Sequence, residues 1–220
     1  MTKPKKDVEL YTNIINDMKN KIINKLIKII KKHNNIDNTK LLEIKYGLET
    51  IYLTIVKTIV FIIIALLLNT TKELLYFMLF YGILRLTGFG VHAQKSSHCW
   101  ISSIITFVFI PILIKYVIIH KYILYILSLI SLIILLIYAP ADTPKRPLIN
   151  KKKRIIYKTI TIIISLIYIL TIVLNKNYIF TNTLLYSLLL QSFLVTPLTY
   201  KMFGVSYKNY KNYKRKEKLK

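Results

Sequence analysis

Cys99 is the only cysteine in this 220-residue chain, and it closes the stretch Arg85-Leu-Thr-Gly-Phe-Gly-Val-His92-Ala-Gln-Lys-Ser-Ser-His98-Cys99, just before the only tryptophan, Trp100. A thiol with an ordinary pKa of about 8.5 is a poor nucleophile until a base or a positive field favours the thiolate. His92, His98, Lys95 and Arg85 are the nearby residues that could supply one. His98 is adjacent to Cys99, and adjacent side chains diverge on a helix, which makes it the weaker direct partner. His92 lies seven residues earlier. On one straight helix that spacing is a rise of about 10.5 Å, well beyond a hydrogen bond of about 3 Å. A His92–Cys99 pair therefore requires a bend between the two, and Gly88, Gly90 and Ser96-Ser97 are residues that permit one. A metal held by His92, His98 and Cys99 is the competing chemistry, but the spacing matches no strong zinc pattern, and neither a metal nor another cofactor is expected. Taken by itself, a single cysteine in an apolar chain reads as inert filler. It also allows no intramolecular disulfide framework.

These residues need elements to hold them. The chain is 54% hydrophobic, with a mean hydropathy of +0.47, and carries 33 Lys+Arg against 9 Asp+Glu, a formal net charge of +24. Ordinary soluble domains are less apolar and more evenly charged. A basic disordered chain is not this hydrophobic, and a nucleic-acid binder has no need of runs such as Ile155–Leu174. An all-α, polytopic membrane bundle accounts for both features. Apolar runs occur at Ile51–Leu68, Leu74–Leu86, Ile101–Ile119, Tyr122–Tyr138, Ile155–Leu174 and Tyr178–Tyr200. Five have the length of a spanning helix. Leu74–Leu86 is short, hence either a short span with snorkelling flanks or a segment that dips into the membrane. Pro111 and Pro197 should kink or end the helices that contain them.

Before the first run, Tyr11, Ile14, Ile15, Met18, Ile22, Leu26 and Ile29 recur at helical spacings, with Lys19, Lys21, Lys25, Lys28, Lys31 and Lys32 between them. A basic helix with one apolar face suits an anionic membrane surface, or equally packing on the rest of the protein. Met1–Asn13 lacks the apolar core and cleavage site of a signal peptide, so insertion by the chain's own segments is expected. The expected organisation is an interfacial N-terminal region over 1–50, a membrane bundle over 51–200 and a basic tail over 201–220.

Six crossings with residues 1–50 inside put Lys95, Lys145, Arg146, Lys151–Arg154 and the basic tail on the cytoplasmic side. Only Lys72, Lys121 and Lys176 fall opposite. Codon bias does not sort lysines by side; the positive-inside rule does. On this topology the Arg85–Trp100 stretch and the loop bearing Asp142 share the cytoplasmic edge. Arg85 could donate to an oxyanion or a substrate carboxylate, or simply snorkel. Asp142 could orient the histidine, or form a turn beside its prolines. Gln191, within an apolar span, suits an interhelical hydrogen bond or a substrate contact. Lys151, Lys152, Lys153 and Arg154 mark topology first, and could bind an acidic peptide tail or anionic lipid second.

The ordered set Arg85-x-x-Gly-x-Gly-x-His92-Ala with Cys99 seven residues on, Lys45-Tyr46-Gly47-Leu48-Glu49 before the first span, Tyr138-Ala-Pro-Ala-Asp142-Thr-Pro-Lys-Arg-Pro147 followed by Lys151–Arg154, and Gln191-Ser-Phe-Leu-Val-Thr-Pro197 resembles the accessory gene regulator B family (AgrB) over nearly the whole chain. One departure stands out: where the family has two consecutive glycines before x-His, this chain has Phe89 in the first place and a glycine moved to 88. The resemblance implies a cysteine endopeptidase of bacterial quorum sensing in the cell membrane. Cys99 would be its nucleophile, His92 its base, and Gly90 part of the approach to the histidine. The substrate would be an AgrD-like precursor peptide, cut at its acidic C-terminal tail through a thioester that closes to a cyclic thiolactone or lactone. Anionic lipids and a second copy of the chain are the other partners expected. The competing class is a small non-enzymatic transporter or channel with a re-entrant His/Cys loop. That class places polar and ionisable groups near the membrane midplane; here the intramembrane polar residues are expected to be sparse, with the polar cluster at one edge.

Overall fold

The computed structural model describes residues 20–30, 37–91, 96–144 and 147–211, without the side chains of residues 38–40, 42, 43, 46 and 96–98. The chain is organised as two units, Met1–Val60 and Phe61–Lys220. In the first, residues 20–30 form a helix, α1. Its expected apolar stripe is exposed at Ile22, Leu26 and Ile29, while Ile23, off that stripe, is buried. The stripe residues Tyr11, Ile14, Ile15 and Met18 lie outside the described residues. A second helix, α2 (Asn38–Leu67), is continuous for 30 residues from well before the apolar run and carries over into the second unit.

The second unit is a helix bundle built from the end of α2 and from α3 (Thr71–Gly88), α4 (Ser96–Ile104), a π-helical turn (Ile105–Phe109), α5 (Ile110–Tyr116), α6 (Lys121–Tyr138), α7 (Lys151–Leu174), α8 (Tyr178–Val195) and α9 (Pro197–Met202). Among the described residues, five helical stretches are long and apolar enough to cross a membrane: Gly47–Leu67, Cys99–Tyr116, Lys121–Tyr138, Lys151–Leu174 and Tyr178–Val195.

The doubtful segment, α3, is longer than its apolar run. It has 18 residues because Thr71, Lys72 and Glu73 join it at the start and Thr87 and Gly88 at the end, with Glu73 in the first turn and Arg85 in the last, each placed to complement the helix dipole. Its two ends meet different ends of the bundle. Near its start, the Lys115 ammonium at the end of α5 donates to the Asn69 carbonyl. Past its end, Gly90 N–H donates to Ala141 O (2.8 Å) and Val91 N–H to Leu194 O (3.1 Å). It packs alongside α8, and it is not among the five stretches long and apolar enough to cross a membrane.

The helix breaks have local causes. Asn69, at φ 55°, closes α2 in the left-handed conformation, with Thr70 N–H donating to Ala65 O, a termination that asparagine tolerates. Asn150 and Asn177 cap α7 and α8 by accepting two backbone N–H bonds each. Pro111 has no N–H and presses on the carbonyl four residues back; the turn before it is π-helical, and Ile110 N–H reaches Ile105 O. Pro197 opens α9 after Thr196, so the last apolar run ends as a spanning helix at Val195.

α8 is the central element. Over half of its span is buried, against 22% for α6 and for α7. Its buried residues include Thr181, Asn182, Thr183, Ser187, Gln191 and Ser192, so polar residues within the membrane are not sparse. Their hydroxyls return to their own helix, as in Ser187 Oγ to Thr183 O (2.8 Å) and Thr183 Oγ1 to Ile179 O (2.7 Å). Buried Ser128 and Ser131 on α6 and Thr161 and Ser165 on α7 do the same. Small residues at such positions let membrane helices approach closely. Ile126, Ile133, Ile163 and Leu170 point outward and are exposed, as a lipid-facing surface requires.

Candidate active site

α3 ends at Gly88, residues 89–91 are not helical, and α4 is described from Ser96. His92 and Lys95, and the side chain of His98, lie outside the described residues. Cys99 is half-buried in the first turns of α4, and its carbonyl accepts from Ser102 Oγ (3.2 Å) and Ser103 Oγ (2.7 Å). Trp100, next to it, meets Phe61 edge-on with ring centroids 6.5 Å apart.

The segment that leads to His92 is held from four directions. Phe89 forms an isolated parallel bridge with Ala141, and Ala141 N–H donates to Gly88 O (3.1 Å). The Arg85 guanidinium turns back over the end of its own helix and donates to the carbonyls of Phe89, Gly90 and Val91. From α8, Gln191 Nε2 donates to Phe89 O (3.0 Å), a bond between residues 102 apart. Gln191 is fully buried, and its Oε1 accepts no bond among the described residues.

Two consecutive residues adopt positive φ here, Phe89 at 54° and Gly90 at 109°. Gly90 has no alternative: a β-carbon there would lie 2.5 Å from Arg85 Nη1 and 2.8 Å from Leu194 O. At Gly88 a β-carbon would lie 2.4 Å from Gln191 Nε2. The displaced glycine thus makes room for the glutamine, while Phe89 takes a backbone conformation that favours glycine. Its ring is packed edge-on against Tyr157, centroids 4.9 Å apart.

Asp142 is buried one residue beyond the bridge. Its carboxylate accepts from three main-chain N–H groups, those of Leu148 (3.2 Å), Asn209 (3.0 Å) and Tyr210 (2.7 Å). Tyr200 Oη donates to the carbonyls of Ala141 (3.0 Å) and Asp142 (2.8 Å). Burial pushes the Tyr200 phenol above its ordinary value, which keeps it protonated as a donor. Tyr207, edge-on to Tyr200, is pushed up to about 12, again chiefly by burial. Two of the three partners of Asp142, Asn209 and Tyr210, lie in the C-terminal segment, and nothing in the spacing of the sequence points to them.

Lys151, Lys152 and Lys153 are exposed at the start of α7. Arg154 differs: it donates to Leu148 O (3.0 Å) and stacks over Tyr210 at 3.9 Å from the ring centroid. Residues 89–91, 141–142, 148, 194, 200 and 209–210 are thereby joined at one end of the bundle. The model of one protein family, accessory gene regulator B, matches residues 20–195. The chain belongs to the accessory gene regulator B family. It is similar to an accessory gene regulator protein B of Staphylococcus aureus, 33% identical over 177 residues, which are 80% of this chain and 93% of the relative. The protein of the same name from Staphylococcus intermedius is 34% identical over 178 residues, with the same two coverages. A putative AgrB-like protein of Clostridium acetobutylicum is 26% identical over 201 residues, 90% of this chain and 96% of the relative. No solved structure matches the chain. Membership covers Arg85, Cys99, Asp142, Lys151–Arg154 and Gln191 alike, all inside the matched residues.

Proposed function

We propose that the chain is a membrane-embedded cysteine endopeptidase that removes the C-terminal tail of a short AgrD-like precursor peptide in bacterial quorum sensing. Cys99 is the nucleophile and His92 the general base. His92 takes the thiol proton as Cys99 Sγ attacks the carbonyl at the tail boundary. The C–N bond then breaks, the proton passes to the departing amine, and the peptide remains on Cys99 as a thioester. A cysteine or serine of the same bound peptide attacks that thioester, closes the thiolactone or lactone ring and returns the proton to the Cys99 thiol. Exchange between thioesters is nearly balanced, so excluding water and holding the peptide's own nucleophile close decide the product.

The observation that carries this reading is the family match over residues 20–195, which takes in Cys99 and the segment before it. α3 ends at Gly88, and residues 89–91 form a braced, non-helical turn directly before His92. The competing transporter reading calls for ionisable groups in mid-membrane, whereas the buried polar row of α8 is uncharged and its hydroxyls are bonded within the helix. We assign the braced end to the cytoplasmic side on the positive-inside rule, since Lys151–Arg154 and the tail leave from it. The same positive charge suits an acidic peptide tail and anionic lipid.

Co-expression with a candidate precursor peptide, followed by mass spectrometry, tests the assignment. Cys99→Ala and His92→Ala should each abolish tail release while the protein still inserts. Processing retained in either variant removes that residue from its assigned role.

A further inference from the structure

Two uses are open to Arg85 at this site. It could meet the substrate, as an oxyanion or carboxylate donor, or it could build the turn that precedes His92. Both terminal nitrogens of its guanidinium are engaged with the carbonyls of residues 89–91. Every main-chain group of this segment is then accounted for. Phe89 N–H donates to Arg85 O, Gly90 N–H to Ala141 O and Val91 N–H to Leu194 O. The Phe89 carbonyl receives Gln191 as well as Arg85, while those of Gly90 and Val91 have no donor among the described residues except Arg85. Near a membrane, a carbonyl left unpaired is strongly destabilising, and positive φ at Phe89 and Gly90 persists only where the surroundings over-determine it. A planar fork with donors on both terminal nitrogens matches a row of carbonyls; an ammonium does not.

We propose that Arg85 is a positioning residue: its guanidinium holds residues 89–91 in one conformation and so fixes where His92 stands relative to Cys99. The proposal rests on the His92–Cys99 reading above for its effect on turnover, but not for its effect on the turn.

Arg85→Lys keeps the charge, and with it the topology signal, while removing the fork. In the full-length protein, two readouts apply. Hydrogen exchange at the Gly90 and Val91 amides should accelerate by at least about tenfold, with exchange in α6 and α7 unchanged as the control for folding. With precursor peptide as substrate, kcat should fall by about 100-fold, the scale set by a misplacement of about 1 Å, while KM moves by less than about threefold. Unchanged exchange at Gly90 and Val91 would overturn the clamp whether or not the protein cleaves peptide. Accelerated exchange with wild-type kcat, or a loss confined to KM, would overturn the positioning role. If wild-type protein shows no Cys99-dependent cleavage, the endopeptidase reading fails, and with it the positioning role, while exchange still decides the clamp.

Discussion

The two ends of the Phe61–Lys220 bundle are built differently. At one end the helices are joined by short connections, residues 68–70, 117–120 and 175–177. Few bonds tie them together: among the described residues, Lys115 donates to the Asn69 carbonyl, and Asn182 Nδ2 to Val117 O (2.7 Å) and Ile114 O (3.4 Å). At the other end the connections are longer, and a main-chain bridge joins Phe89 to Ala141. There Arg85, Asp142, Tyr200 and the Nε2 of Gln191 bond to backbone from elsewhere in the sequence or to the positive-φ turn. A connection that only reverses the chain needs little more than a cap. One that must hold irregular backbone at a membrane edge needs a partner for each N–H and C=O. Bracing of that density makes sense where a residue beyond the turn must be held in place.

The substitution that cuts deepest into this contrast is Gly90→Ala. Positive φ and a β-carbon 2.5 Å from Arg85 Nη1 act together, and backbone strain of this kind costs about 1–3 kcal/mol. Gly82→Ala, with nothing within 4 Å of the new carbon, should leave thermal stability in detergent unchanged or slightly raised. Next comes Asp142→Asn. Replacing one carboxylate oxygen by an amide that faces main-chain N–H groups should lower stability by about 1–3 kcal/mol, read as a lower midpoint in thermal unfolding. Phe89 offers a finer test. Both Phe89→Ala and Phe89→Gly lose the ring contact with Tyr157, but only alanine keeps the penalty of a side chain at φ 54°. Phe89→Gly should therefore be the more stable of the two by about 1 kcal/mol. At the plainer end, Lys115→Ala should change stability by no more than about 0.5 kcal/mol. A large loss there would erase the distinction between the ends.

What could be read in the sequence was what is local. The apolar runs announced the helices, and Pro111 and Pro197 mark the two breaks, while the bend demanded by the His92–Cys99 spacing lies outside the described residues. The length of α3 was obscured because its ends are polar, though helical. α8 reads as one more apolar span, since Thr, Ser and a single Asn and Gln barely interrupt it; their burial follows from its central position, which no periodicity conveys. Phe89, the partner of Gln191, and Asn209 and Tyr210, two of the three partners of Asp142, are tens of residues away in sequence. The departure at Phe89 was visible, yet its meaning needed the φ angle and the position of Gln191 against Gly88.

The functional reading depends above all on one step, in which Cys99 carries the peptide as a thioester. Mixing purified full-length protein with precursor peptide and recording the intact mass after an acid quench tests that step. The expected result is an adduct equal to the peptide without its tail, released by neutral hydroxylamine and absent in Cys99→Ala. Tail release that continues in Cys99→Ala, with no adduct on any residue, would contradict it.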